Sequence, residues 1–335
     1  MKVAAYAEQS YSYYSGYNGT DRVFQASGAY VFRPNGTFPI KPEGQVPLTV
    51  LRGPILDEVH HQLNTWLHQV TRVYKEKEHA EVEFTIGPIP VDDGFGKEIT
   101  AQIKTSLNTN ETFYTDSNGR DFIKRIRDHR SDWDLEIHQP IAGNYYLYIN
   151  LGIYLEDGNM EVSVLVDRAV GGSSLVDGQI ELMLHRLAIQ GKFFLRIDPR
   201  GEGAKWRRTF GQEVYSPLLL AFSEEELESG KALLRLAHLY EVGEDKDYSV
   251  LTSVELKKLF PDKKIIKVTE MNLSANQERR EVEKKRLDWK VEGTTEEVSV
   301  VKGGVVDPVK LVVELAPMEI RTFVIEFDHL KTFAS

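Results

Sequence analysis

The 335-residue chain has no cysteine, no internal repeat and fewer basic than acidic residues. It also lacks any apolar run of about twenty residues, the length needed to span a bilayer as a helix. The missing cysteines exclude a disulfide framework. They do not fix the compartment, because a chain of this length buries enough surface to fold without cross-links. Lys and Arg number 41 against 51 Asp and Glu, a formal charge of −10 at pH 7. That balance argues against a nucleic-acid partner, which needs a net basic face, and suits an acidic lumen. The opening stretch, MKVAAYAEQSYSYYSG, has one Lys but no apolar core and no cleavage site, and does not read as a signal peptide.

What is present is strand chemistry. The segments 145–156, 161–166, 192–198, 232–242 and 320–327 are rich in aromatic and β-branched residues and alternate with period two, as strands with one buried face do. Turn signals lie between strands at 117–120, 156–159, 176–179 and 302–304, so hairpins are the natural connection. Helical candidates are few. Residues 254–260 make a short one. The charged stretch 277–287 could form another, but has only Val282 and Leu287 to bury and reads rather as a strand margin or solvated face. The fold class is all-β, with a large antiparallel sandwich at 1–225 followed by a smaller C-terminal one at 226–335, the boundary falling in the polar run 223–231.

Metal-ligand spacings are missing: there is no H-E-x-x-H, no H-x-H and no EF-hand loop. His60 and His61 are adjacent and would point to opposite faces of a strand, and Asp92-Asp93-Gly94 reads as a turn. No carboxylate pair is nominated for glycoside chemistry, which needs two across a sugar. In PRGEGAKWRR the Gly201-x-Gly203 pair lacks a third Gly and a G-K-[ST], and no helix of adequate length is expected after it, so a phosphate loop is rejected. A loop is expected there, with Trp206, Arg207 and Arg208 either docking on a partner surface or packing locally. The basic run at 124–130 reads as a solvated strand edge. Asn18, Asn35, Asn110 and Asn272 each open an N-x-Ser/Thr triplet, the N-glycan acceptor pattern, with Asn35 best placed in a Pro-Asn-Gly turn.

Three blocks identify the chain more closely: SGAYVFRPNGT at 27–37, TFYTDSNGRDFIKR at 112–125 and PRGEGAKWRRTFGQEVYS at 199–216. Their order and spacing resemble the C-terminal, mostly β half of the glycoside hydrolase family 38 α-mannosidases, of the plant vacuolar and animal lysosomal branch. VELAPMEIRTFVIEFD at 313–328 extends the resemblance to the end of the chain.

The resemblance implies that the nucleophile, the acid/base and the zinc ligands sit on a separate N-terminal catalytic chain, of which nothing is found here. The protein then looks like the β (light) subunit of a retaining enzyme that removes terminal α-linked mannose from N-glycans, in a vacuolar or lysosomal lumen or secreted, as a dimer of heterodimers. The same resemblance places a substrate-contacting tyrosine at Tyr30 and a basic contact at Arg186, with His185 beside it, in GGSSLVDGQIELMLHR. A Tyr can bond and stack on a sugar, and an Arg offers a fixed fork of donors. The chain departs from the family where Leu187 follows Arg186 in place of a second Arg and a longer acidic loop, and again at 226/227. A rival expectation is a free-standing carbohydrate-binding β-sandwich without catalysis, marked by an exposed row of Trp and Tyr.

Overall fold

The computed structural model describes residues 6–19, 25–28, 31–42, 44, 46–116, 118–134, 136–186, 188–215, 230–287, 302–307 and 309–328. The chain divides into two compact units, Met1–Leu219 and Leu220–Ser335. The sequence boundary at 225/226 and the second shortening at 226/227 lie outside the described residues.

The first unit runs through β1 (Ala7–Gly16), β2 (Pro34–Pro39), β3 (Leu48–Arg52), β4 (Leu56–Asn64), β5 (Leu67–Tyr74), β6 (Ala80–Ile86), β7 (Lys97–Thr105), β8 (Thr112–Asp116) and β9 (Phe122–Ile126). A 3₁₀ turn at Ala142–Asn144 follows, then β10 (Tyr146–Ile149), β11 (Gly152–Glu156), β12 (Met160–Val166), β13 (Val170–Ser173), β14 (Gln179–His185), β15 (Ile189–Pro199) and helix α1 (Gly203–Tyr215). One sheet has the order β10-β13-β14-β7-β1-β2, the other β3-β4-β5-β6-β15-β12-β11-β8-β9, and every pairing is antiparallel. The expected all-β sandwich is what forms.

Alternation explains the core. In β7, Ile99, Ala101 and Ile103 point inward and are fully buried with Ile180 and Leu182 of β14. They meet Val82, Phe84, Val162, Val164 and Phe193 from the other sheet. Truncating Ile99 or Ile103 to Ala would open a cavity costing about 2–5 kcal/mol. β12 is buried on both faces because the nine-stranded sheet is covered twice. Val162 and Val164 face the sandwich core, while Leu165 faces α1 with Phe194, Leu151 and Trp206. The segment 145–156 is two strands rather than one, and they belong to different sheets. The chain crosses at Asn150-Leu151, where the Asp116 carboxylate accepts from the backbone N–H groups of Leu151 (2.8 Å) and Gly152 (2.9 Å).

The loop expected in PRGEGAKWRR gives way at Gly203 to a 13-residue helix, Gly203–Tyr215, where no helix of adequate length was expected. Trp206, Phe210 and Val214 recur every fourth residue and lay one face of α1 on Phe194 and Leu151. Gly201 does take a positive φ of 88°. Gly203 serves a different purpose: a Cβ there would run into the buried carboxylates of Glu161 and Asp198. Trp206 and Arg207 are buried within this unit, so they are not docking residues. The basic run 124–130 begins on β9, an edge strand as expected.

The second unit contains β16 (Lys231–Ala237), β17 (Thr252–Glu255), α2 (Leu256–Leu259), β18 (Ile265–Met271), α3 (Arg279–Lys284), β19 (Val312–Leu315) and β20 (Ile320–Phe327). A three-stranded sheet, β16-β20-β18, and a two-stranded sheet, β17-β19, enclose Leu256, Val313, Leu315, Phe323 and Ile325. The strand expected over 232–242 ends at Ala237. The stretch expected as a strand margin or solvated face forms α3, a solvated helix rather than a strand margin, supported by Arg279–Glu283 (3.0 Å) and Lys284–Glu281 (2.8 Å), with no residue buried.

Candidate functional site

β7 places Glu98, Thr100 and Gln102 on the face opposite its core residues, and β1 and β14 add Ser12, Tyr14 and Glu181 to the same face. This polar layer is covered by rings. Tyr14, Phe32 and Tyr145 meet edge to face, with centroids 5.1 to 6.3 Å apart. Beneath them Glu181 accepts from the hydroxyls of Tyr14 (2.5 Å) and Tyr145, and from Gln102 Nε2 (2.7 Å). Burial and the Glu181 carboxylate raise the pKa of both phenols, so both remain donors.

Beside this layer opens a cleft of about 400 Å³, lined by Tyr14, Asn18, Ser27, Arg33, Glu98 and Arg186, among others. Arg186 arrives there through a β-bulge. Met183 pairs with Thr100, one residue is skipped, and His185 pairs with Ile99, so Arg186 falls opposite Glu98. Its Nε donates to Glu98 Oε2 and its Nη1 to the backbone carbonyl of Gly28. Burial pushes the Glu98 carboxyl up, against the pull of the Arg186 charge.

Ser27 and Gly28, from the block at 27–37, and Arg186, far away in sequence, therefore line one cleft. Tyr30 itself lies outside the described residues. Its neighbours Gly28 and Val31 are joined by an N–H···O bond of 3.1 Å. His185 is half-buried at the end of β14. The turn at Asp92-Asp93-Gly94 forms as read, with Gly94 at φ +76° and its N–H bonded to Val91 O (2.9 Å). Gly94 also lines the cleft. Leu187, where the first shortening falls, is outside the described residues.

Glu98, Tyr14 and Glu181 were not singled out by sequence. The alternation in KEITAQIKT marks Glu98 and Gln102 as outward-facing. No local signal tells that Phe32 and Tyr145 bury that outer face.

Among the described residues lining the cleft, Glu98 is the one carboxyl, and it is committed to Arg186. Glycoside hydrolysis takes two carboxyl groups. The described cleft therefore offers hydrogen-bonding side chains, but its described residues hold no acid and nucleophile pair. Nor does any group of three His, Asp or Glu side chains converge as a metal set among the described residues. His60 pairs with Glu58 (3.2 Å) and lies 5.9 Å, centroid to centroid, from the ring of His68. The zinc that the resemblance implies does not fit any site described here.

Of the sequons, Asn18, Asn35 and Asn110 are exposed. Asn35 sits in edge strand β2 rather than in a turn. Asn272 is half-buried and its carboxamide is engaged, Nδ2 donating to Asn276 Oδ1 (2.7 Å) and Oδ1 accepting from Asn276 N (3.1 Å). Among the described residues no helix is long and apolar enough to cross a membrane.

Comparison with known proteins bears on the whole chain. Its 57% identity to an alpha-mannosidase of Arabidopsis thaliana covers 96% of the chain but 37% of that relative. The alpha-mannosidase of Canavalia ensiformis is 47% identical over 96% of the chain and 39% of its own length. The human lysosomal alpha-mannosidase is 34% identical over 94% and 36%. The chain thus spans under two fifths of the length of the curated relatives it matches. The Arabidopsis alignment extends over 380 residues, more than the chain contains, so that relative carries residues here with no counterpart. An alpha-mannosidase structure from Enterococcus faecalis, 12% identical, superposes with a TM-score of 0.53 over 95% of this chain and 38% of that one, which speaks to the fold. Residues 2–194 match the glycosyl hydrolases family 38 C-terminal domain, and residues 218–323 match the family 38 C-terminal beta sandwich domain. The chain belongs to glycosyl hydrolase family 38, of which it carries the C-terminal β domains.

Proposed function

We propose that this chain is the β portion of an α-mannosidase that removes terminal α-linked mannose from N-glycans by a retaining mechanism, working with a separate N-terminal catalytic chain. The carrying observation is the coverage: 57% identity spans nearly all of this chain and little more than a third of an alpha-mannosidase. The two carboxyl groups and the zinc are assigned to the catalytic chain, since the described residues offer neither a carboxyl pair in the cleft nor a metal set. This chain's part is to close the mannose pocket. Arg186, held by Glu98 and the Gly28 carbonyl, directs donors at sugar hydroxyls, and Tyr30 from the SGAY block supplies a ring and a hydroxyl. The lysosomal relative and the acidic composition support a lysosomal or vacuolar lumen, or secretion; assembly as a dimer of heterodimers is proposed from the family resemblance alone.

The test is turnover of an aryl α-mannoside. The isolated chain should be inert, and its complex with the catalytic chain active and sensitive to chelators. Arg186→Ala in the complex should lower kcat/KM by about tenfold or more, the loss of a charged hydrogen bond. Chelator-insensitive turnover by this chain alone would overturn the assignment. Glycan binding by a chain that never associates with a catalytic partner would instead favour a carbohydrate-binding sandwich.

A further inference from the structure

The bulge in β14 and the register of β7 set Tyr14, Glu98 and Arg186 side by side across three strands. Their exposures differ sharply. The side chain of Glu98 is 8% exposed and that of Arg186 is 36% exposed. A carboxylate sunk in the sheet therefore holds the Nε of an arginine that lines the cleft. The Gly28 carbonyl takes Nη1 and closes a second point of attachment. Two attachments from different segments fix the plane of the guanidinium, and a planar fork is useful to a ligand only when its plane is fixed. An ion pair formed only for stability would have no need of one open end, and a lone carboxylate in this position would be costly to bury.

We infer that Glu98 is a positioning residue for the mannoside pocket: it orients Arg186 toward the sugar hydroxyls without touching the sugar. This rests on the mannosidase reading above. Glu98 acts through Arg186, so removing either should have one and the same effect.

The experiment is a double-mutant cycle on the assembled enzyme. Glu98→Gln keeps the shape and removes the charge. Glu98→Asp keeps the charge and shortens the reach, so it serves if the amide variant fails to fold. Each should lower kcat/KM about tenfold, with the same division between KM and kcat as Arg186→Ala, and the double variant E98Q/R186A should be no worse than R186A. A merely structural role would reduce the amount of active enzyme and leave KM unchanged. Normal kinetics in E98Q and E98D beside an impaired R186A, or losses that multiply in the double variant, would overturn the positioning role alone. Normal kinetics in R186A would instead remove the pocket reading, and this inference with it.

Discussion

Arg207 holds its guanidinium carbon 3.7 Å from the ring centroid of Tyr154, while its Nη1 donates to Glu161 Oε1 (3.1 Å) and Ser163 Oγ (2.7 Å). Glu161 is fully buried on β12 and accepts in addition from the backbone N–H of Gly201 (3.1 Å). The pair thus ties α1, the loop before it and the outer face of the nine-stranded sheet into one unit.

Arg207→Ala should destabilise the first unit by about 3–5 kcal/mol, because it strands a buried carboxylate. Adding Glu161→Gln should return part of that loss, since the remaining group is then neutral. Urea denaturation followed by tryptophan fluorescence reads both, and an Arg207→Ala midpoint equal to the parent's would contradict the role given to the pair.

This cluster also marks the limit of local reading. The strands were legible where apolar residues alternate, as Val162, Val164 and Val166 do in the segment 161–166. The helix at Gly203–Tyr215 was legible too, in Trp206, Phe210 and Val214, but the two nearby glycines drew attention to a loop instead. Gly203 breaks no helix because it is the first helical residue, chosen for lack of a side chain beside Glu161. Arg186 was reached by resemblance, whereas Glu98 was not, because its partner lies 88 residues away and a one-residue bulge sets the register. Long-range pairing of this kind has no signature in local periodicity.

Acid should weaken the first unit through His79. Its ring packs against Phe210, Trp206 and Phe194, with centroids at 4.3, 5.5 and 5.7 Å, and its Nε2 is buried without a partner among the described residues. Burial, with the Lys77 charge and more weakly Arg196, lowers its pKa from 6.5 to about 4, against the opposing pull of Glu81. The unfolded chain therefore binds a proton near pH 6.5 that the folded chain takes up only near 4. Stability attributable to His79 is whole above pH 6.5 and declines as pH falls toward about 4. His79→Phe, which suits the aromatic surroundings, should flatten that part of the Tm profile. Identical slopes for parent and variant between those values would count against it.

The sequons should not be equivalent. Expressed in a host that modifies such triplets, the protein should carry glycans at Asn18, Asn35 and Asn110, which are exposed, and not at Asn272, whose carboxamide is bonded to Asn276. Peptide mapping after enzymatic deglycosylation decides each site. A fully occupied Asn272 would show that its bonds to Asn276 do not protect it.

The second unit has its own buried cation. Arg321 is 2% exposed, and its fork is used on three sides. Nε and Nη2 donate to the two oxygens of Glu270 (2.8 and 2.6 Å), and Nη1 donates to the carbonyls of Gly304 (2.9 Å) and Glu314 (2.8 Å). These bonds join β18, β20, the stretch before β19 and β19 itself around one guanidinium. Lys cannot reproduce a bidentate grip together with two further bonds from a plane, so Arg321→Lys should fail nearly as badly as Arg321→Ala. Each should cost about 1–3 kcal/mol, the loss of charged hydrogen bonds, since Glu270 keeps Arg279 as a partner. Because the two units have separate cores, calorimetry should show the loss in the transition of the second unit, with that of the first unmoved. A lysine variant that melts with the parent would mean that the charge alone, and not the fork, holds these strands together.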